Sequence, residues 1–402
     1  MKKSLHTPEG VRDTYGKECI AKQVVLNTLK DTFSSFGYEE IETPGFEFYD
    51  VYENTGTNPG KELYRFFDRE GNTLALRPDF TPSVMRCAAS HFSDESEPVR
   101  LTYSGKAYLN VSSLTGKLHE LNETGCELIG DDSAYADAEI IHLCVSNLKA
   151  CGLEEFQISI GNIGFFKGMC EKAGLNEETE LALRDFISGK NHFGAEGLLK
   201  ESNVEEAFTR DFLRVTDLFG NEDVLDESLS LAENEKSRKA ILRLKEVYEI
   251  LKTYGDDKYI SFDMGLLSRY NYYTGIIFKA YTYGVGDCVA TGGRYDNLLS
   301  SFGFDKPSIG FVIFADELMN ALSLKGKLPV KEADTVFLLY DENAADKAIR
   351  YANELRSLKN KCMLILKEDH KDKDHYIAYA RKKNALELSY MTEKERNVLY
   401  RK

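Results

Sequence analysis

Apolar residues recur at every fourth position in "ECIAKQVVLNTLKDTFSSFGYEEIETP", where Val25, Leu29 and Phe33 share one face. The spacing predicts a helix, and Gly37 is placed to end it. "YEEIETP" then reads as a short strand stopped by Pro44. "LYRFFDREGNTLALR" predicts a hairpin, with apolar runs on either side of a Glu-Gly-Asn turn. Residues 105–130, "GKAYLNVSSLTGKLHELNETGCELIG", predict a second hairpin joined by a Ser/Thr/Gly loop. "DDSAYADAEIIHLCVSNLKACG" is helical by pattern, with Ile140, Ile141, Cys144 and Leu148 on one face. Asp132 or Ser133 caps it, and Gly152 follows it. "FQISIG" alternates like a strand.

Between about 170 and 252 the chain is charged and helix-forming without strand signals, which predicts an inserted helical subdomain. Its clearest helix is "SRKAILRLKEVYEILKTYG", with Ile241, Leu244, Tyr248 and Leu251 on a stripe. Strands return in "YISFDM", "YYTGIIFKAY" and "DCVATGG". Strands grouped at both ends around a helical insert give an α+β fold with a mostly antiparallel sheet flanked by helices. "LSLKGKLPVKEAD" (322–334) reads as a linker. Beyond it "TVFLLY", "AADKAIRYANELRSL", "CMLIL", "DHYIAYARKKN" and "ALELSY" alternate strand, helix, strand, helix, strand, a small α/β unit with a parallel sheet. The expected division is 1–321 and 334–402.

The net charge of −15, from 51 basic and 66 acidic residues, argues against a protein that grips a long polyanion, because phosphate neutralisation needs clustered Lys and Arg. The last forty residues lean slightly basic. Eight cysteines are scattered singly, without a CxxC pair or zinc spacing. That usage predicts reduced thiols in a cytoplasmic protein, with Cys126 and Cys144 in the core. No apolar run approaches the ~20 residues of a membrane span, and no apolar segment follows the N-terminal lysines as a secretory signal requires. "TGGRYDNL" (291–298) lacks the GxGxxG and GKS/T patterns, so its glycines mark either a turn or a close backbone approach. In "LIGDD", Asp131 and Asp132 read as a helix cap. No Ser-His-Asp arrangement stands out among seven dispersed histidines.

Three carboxylates are more informative. Asp79 follows "LRP" with Thr81 two residues on, and Glu123 and Glu127 stand four apart in a strand, so both side chains face one side of the sheet. Clustered acceptors suit an ammonium or imidazolium group, since charge-assisted hydrogen bonds are about twice as strong as neutral ones. Tyr272, Tyr273 and Tyr295 are placed to wall such a pocket. On local grounds two readings stand: a ligand cradle, or a solvated strand face with buried tyrosines.

Together "TPEGVRD", "FGYEEIETPGFE", "YRFFDREGNTLALRPDFTPSVMR", "GCELIGDDSAYADAE", "YNYYTGIIFKAY" and "ATGGRYDNLLSSFG…PSIGFVI" resemble the catalytic module of histidyl-tRNA synthetase, a class II aminoacyl-tRNA synthetase. The resemblance covers nearly the whole chain. It implies the class II sheet and places a histidine site at Asp79, Thr81, Glu123, Glu127, Tyr272, Tyr273 and Tyr295, with Lys117 and Arg269 as candidates to balance the ligand carboxylate. Glu123 stands where the synthetase pattern has glutamine, and Asp79 where it often has glutamate.

The departures fall on the ATP side. The motif 2 hairpin pattern F-R-x-E is replaced by Tyr108-Leu109-Asn110-Val111, and motif 3 has "ADELM", with Glu317 at the arginine position. "SRYNYY" puts Ser268 where the family has arginine, unless Arg269 fills in by a one-residue slip. Adenylate formation builds negative charge that fixed cations stabilise. Leu109 offers a phosphate nothing, and Glu317 repels it. A synthetase-like chain without those arginines resembles the regulatory subunits of ATP phosphoribosyltransferase. That resemblance implies no catalytic residue, cofactor or metal. It implies a short-form catalytic partner in a hetero-octamer, a homodimer of this chain near residues 20–47, and L-histidine as effector. It also implies no tRNA or membrane partner, and a truncated anticodon-binding-like C-terminal domain. The alternatives are a divergent histidyl-tRNA synthetase and a synthetase-like protein- or RNA-binding module.

Overall fold

A computed structural model describes residues 5–53, 55, 63–111, 117–268, 272–329 and 334–402. The chain divides into two compact units, Met1–Pro329 and Val330–Lys402. The first begins with α1 (Gly16–Ser35), β1 (Glu39–Glu40), β2 (Phe46–Phe48), α2 (Asp50–Glu53), β3 (Arg65–Phe67), β4 (Thr73–Leu76) and α3 (Phe80–His91). The long hairpin β5 (Val99–Tyr108) and β6 (Glu120–Ile129) follows, then α4 (Ala134–Ala150) and β7 (Gln157–Asn162). The helical stretch holds α5 (Ile163–Lys172), α6 (Glu177–Ser188), α7 (His192–Glu201), α8 (Glu206–Thr216), β8 (Phe219–Gly220), α9 (Asp223–Leu231) and α10 (Glu235–Tyr254). It closes with β9 (Ile260–Asp263), β10 (Ile276–Tyr281), β11 (Ala290–Arg294), β12 (Ser308–Phe314) and α11 (Ala315–Leu324).

These strands form a nine-stranded sheet in the order β1-β5-β6-β12-β11-β10-β7-β9-β8, and β2-β4-β3 form a separate three-stranded one. In the large sheet β1–β5 and β7–β9 pair parallel and the rest antiparallel, an α+β arrangement. The predicted helix faces are the buried ones: Val25, Leu29 and Phe33 on α1, Ile140, Ile141, Cys144 and Leu148 on α4, and Ile241, Leu244 and Leu251 on α10. On α10 the fully buried neighbour is Val247, with Tyr248 packed at the margin. Ser133 caps α4 by accepting from the Ala136 N–H, while Asp131 accepts from the Ser133 N–H one step earlier. Gly255 ends α10 in the left-handed conformation that favours glycine.

"TGG" lies inside β11, as the strand reading of "DCVATGG" expects, and of the two readings its glycines mark the close backbone approach. Two local expectations are corrected. The helical stretch contains the two-residue strand β8, which pairs with β9. Helix α11 runs through Leu324, so the expected linker starts later, and residues 330–333 lie outside the described set.

The second unit contains β13 (Thr335–Tyr340), α12 (Ala345–Ser357), β14 (Lys361–Leu366), α13 (Lys373–Lys382), β15 (Glu387–Met391) and β16 (Arg396–Arg401). Its sheet order is β14-β13-β15-β16. The first three strands are parallel as expected, but β16 adds an antiparallel edge that sequence reading missed. "RNVLYR" is half polar without clean alternation, and buried Glu387 in β15 draws Arg401 and Arg396 to it. Among the described residues, no helix is long and apolar enough to cross a membrane.

Candidate functional site

Strands β5, β6, β12 and β11 lie side by side, and their registers put one set of side chains on a common face. Tyr103 pairs with Gly125, Glu127 with Gly310, and Thr291 with Val312. Period-2 alternation then brings Glu123 to the same side as Glu127. Over this face lies a cavity of about 410 Å³, counting its mouth open to solvent. It is lined by Asp79, Thr81, Tyr103, Glu123, Tyr272, Tyr273, Thr291 and Tyr295, with Pro78, Gly310, Phe311, Val312 and Phe314.

The start of α3 supplies one wall. Asp79 caps the helix, its Oδ1 accepting from the Thr81 N–H at 3.0 Å and its Oδ2 from the Tyr272 hydroxyl at 3.1 Å. Thr81 Oγ1 donates to Glu127 Oε1 at 2.9 Å, and the Tyr295 hydroxyl donates to the other carboxylate oxygen. Tyr272, Tyr273 and Tyr295 form a cluster, with ring centroids 4.7–6.2 Å apart. Glu123 is 5% exposed, and its carboxylate has no hydrogen-bond partner among the described residues.

Burial pushes the Glu127 carboxyl well above the ordinary carboxylate range; Asp79 adds to the rise, and hydrogen bonds from Thr81 and Tyr103 oppose it. Glu123 is driven the same way by burial and then by the charges of Asp79 and Asp316, with Arg77 opposing. The cavity is therefore acidic and incompletely solvated, an environment suited to a small cation with several N–H groups.

Among the described residues, the nearby guanidinium groups of Arg77 and Arg294 are committed elsewhere. Arg77 donates to the carbonyls of Thr43, Pro44 and Lys106 and to the Thr43 hydroxyl, and lies 3.5 Å over the Phe80 ring. Phe80 in turn stacks on Tyr103 at 4.4 Å. Arg294 is held by Asp137 and Asp296. At the hairpin, the Leu109 N–H donates to the His119 carbonyl, and Lys106 is ion-paired with Glu120. Asp316, at the start of α11, accepts from the backbone and side chain of Asn122.

Seven of the nine expected site residues converge: Asp79, Thr81, Glu123, Glu127, Tyr272, Tyr273 and Tyr295. Lys117 does not; it is largely exposed and sits 3.0 Å from Asp287. Arg269 lies outside the described residues. Sequence reading missed Tyr103, Thr291, Val312 and Phe314. Counting by twos from Glu123 and Glu127 fixes the β6 face, but the partner strands' registers were not available to carry that face to β5, β12 and β11.

Comparison with known proteins fits this picture. A family model described as histidyl-tRNA synthetase matches residues 10–318. An ATP phosphoribosyltransferase regulatory subunit from Acetivibrio thermocellus is 39% identical over 355 residues, covering 88% of this chain and 84% of that protein. One from Ruminiclostridium cellulolyticum is 37% identical over 353 residues, with 88% and 84% covered. The chain belongs to the ATP phosphoribosyltransferase regulatory subunit family. It is thus a regulatory subunit and not a catalyst on its own. A crystal structure titled as an ATP phosphoribosyltransferase regulatory subunit/histidyl-tRNA synthetase from Bacillus halodurans superposes with TM-score 0.85 at 30% identity, covering 96% of this chain and 98% of that one. Histidyl-tRNA synthetase from a Nostoc species gives TM-score 0.79 at 20% identity, with 97% and 92% covered, a likeness of fold. A regulatory subunit on a synthetase frame accounts for Leu109, Val111 and Glu317: the fold persists without cations at the motif 2 and motif 3 positions that hold ATP in a synthetase.

Proposed function

We propose that this regulatory subunit binds free L-histidine in the cavity over β5, β6, β12 and β11, activates a short-form ATP phosphoribosyltransferase, and relays histidine to it as feedback inhibition. The observation that carries the reading is Glu123, a buried carboxylate facing the cavity without a hydrogen-bond partner among the described residues, beside Asp79 and Glu127. Histidine's ammonium and imidazole supply donors for Glu123, which has none among the described residues. Feedback requires that histidine bind one state of the complex better than the other. Calorimetric titration of the chain with histidine tests binding; heat absent at millimolar ligand rejects it.

The partners follow from the same reading: a homodimer of this chain within a hetero-octamer, and no tRNA. Ile20 and Val24 on α1 and Phe46 on β2 are exposed apolar residues within the stretch expected to pair, and Phe48 and Phe66 extend the apolar face of the three-stranded sheet beside Phe46. The second unit is then an anticodon-binding-like domain. A divergent synthetase instead predicts histidine-dependent ATP–pyrophosphate exchange from the purified chain.

A further inference from the structure

Four neighbouring strands each place a glycine on the cavity face: Gly105 on β5, Gly125 on β6, Gly310 on β12 and Gly293 on β11. Pocket side chains lie across these bare positions. A Cβ at Gly125 would stand 2.5 Å from the Tyr103 hydroxyl, and one at Gly293 2.7 Å from the Tyr273 ring. The closest approach is at Gly310, where a Cβ would stand 1.6 Å from Glu127 Oε2. Glu127 and Gly310 are direct cross-strand partners, so the glutamate side chain folds flat over its neighbour's missing side chain. In that posture one carboxylate reaches both Thr81 and Tyr295.

We propose that Gly310 is the positioning residue of the ligand site: its bare Cα lets Glu127 lie along β12, aiming the carboxylate at Thr81 and Tyr295 at the base of the cavity. A methyl group there pushes the carboxylate toward the mouth and leaves both hydroxyls without their acceptor. The ligand consequence rests on the histidine reading; the geometric one does not.

The test pairs Gly310→Ala with Glu127→Asp, whose shorter side chain removes the 1.6 Å contact of Oε2 with the methyl. A Cβ at position 310 also meets the Cys126 carbonyl at 2.4 Å, so general strain must be separated from the effect on Glu127. Gly292→Ala is the control: it meets the Gly310 carbonyl at the same 2.4 Å, but from the opposite face of the sheet. Gly310→Ala should weaken histidine binding at least ~10-fold, in line with loss of a charge-assisted hydrogen bond. Glu127→Asp alone should also weaken binding, yet tighten it in the Gly310→Ala background and not in the Gly292→Ala background. Equal losses from Glu127→Asp in all backgrounds overturn the proposal.

A ligand-free readout keeps the two readings apart. In 3-fluorotyrosine-labelled protein, the ¹⁹F resonance assigned with Tyr295→Phe should move in Gly310→Ala and return toward its wild-type position in the double variant. If it does so in a protein that ignores histidine, the pocket reading fails and Gly310's role stands; an unmoved resonance overturns that role. Should Gly310→Ala not fold alone, it should fold when combined with Glu127→Ala. Failure of that double variant as well overturns the proposal.

Discussion

Replacing Glu123 by glutamine keeps the shape of a buried group and removes only its charge, so its consequences follow from electrostatics. The synthetase pattern has glutamine at this position, which makes the change compatible with the fold. In the empty protein the Glu123 proton is held far more tightly than in the unfolded chain, because burial, Asp79 and Asp316 oppose ionisation. The native state therefore carries more protons than the unfolded state once pH exceeds the unfolded value of about 4.3, and stability falls as pH rises toward the native value. Each unit of that interval costs about 1.4 kcal/mol. Glu123→Gln removes this slope, so the empty variant should be the more stable protein at neutral pH and indistinguishable from wild type below pH ~4. Binding should move the other way. A charge-assisted hydrogen bond contributes ~1.5–3 kcal/mol and a neutral one ~0.5–1.5, so the swap costs roughly 1–2 kcal/mol, a ~5- to 30-fold loss of histidine affinity. Urea denaturation from pH 4 to 8, with and without histidine, measures both effects. Parallel stability profiles for variant and wild type, with unchanged affinity, would refute the reasoning.

Because Glu123 and Glu127 both hold protons unusually tightly in the empty cavity, binding of histidine's ammonium should release protons, and affinity should rise with pH until the ammonium itself titrates. Calorimetry in buffers of different ionisation heat reads the release, and equal heats in all buffers count against it. Asp79→Asn retains an N-cap, whereas Asp79→Ala loses it; the alanine variant should cost ~1 kcal/mol of stability as well as affinity, the asparagine variant mainly affinity. Lys117→Ala should leave histidine affinity within twofold, since the side chain pairs with Asp287 and does not line the cavity. Phe46→Asp with Phe48→Asp should shift sedimentation from dimer to monomer while histidine binding survives.

Helix faces were legible because a four-residue apolar repeat reports burial directly, as at Val25, Leu29 and Phe33 or at Ile140, Ile141, Cys144 and Leu148. The acidic pocket was legible for a different reason: residues 123 and 127 share a strand face by geometry, and the resemblance to the synthetase brought Asp79 and the tyrosines to them. Register between distant strands was not legible. Tyr103, Thr291 and Val312 join the site only through pairings of β5, β6, β12 and β11 that span about 200 residues of chain. The same blindness hid the antiparallel β16, whose place depends on Arg401 and Arg396 reaching buried Glu387. Lys117 was proposed as a counter-charge because it is a lysine in the right hairpin, but nothing in the sequence shows that Asp287 holds it.

The account's central claim is most directly tested by turnover of a short-form ATP phosphoribosyltransferase mixed with this chain, measured with and without histidine and repeated with Glu127→Gln. Wild type should raise turnover and histidine should reverse the rise, whereas Glu127→Gln should raise turnover and resist histidine. Turnover unaffected by the chain and by histidine, or a purified chain that carries out histidine-dependent ATP–pyrophosphate exchange, contradicts the account.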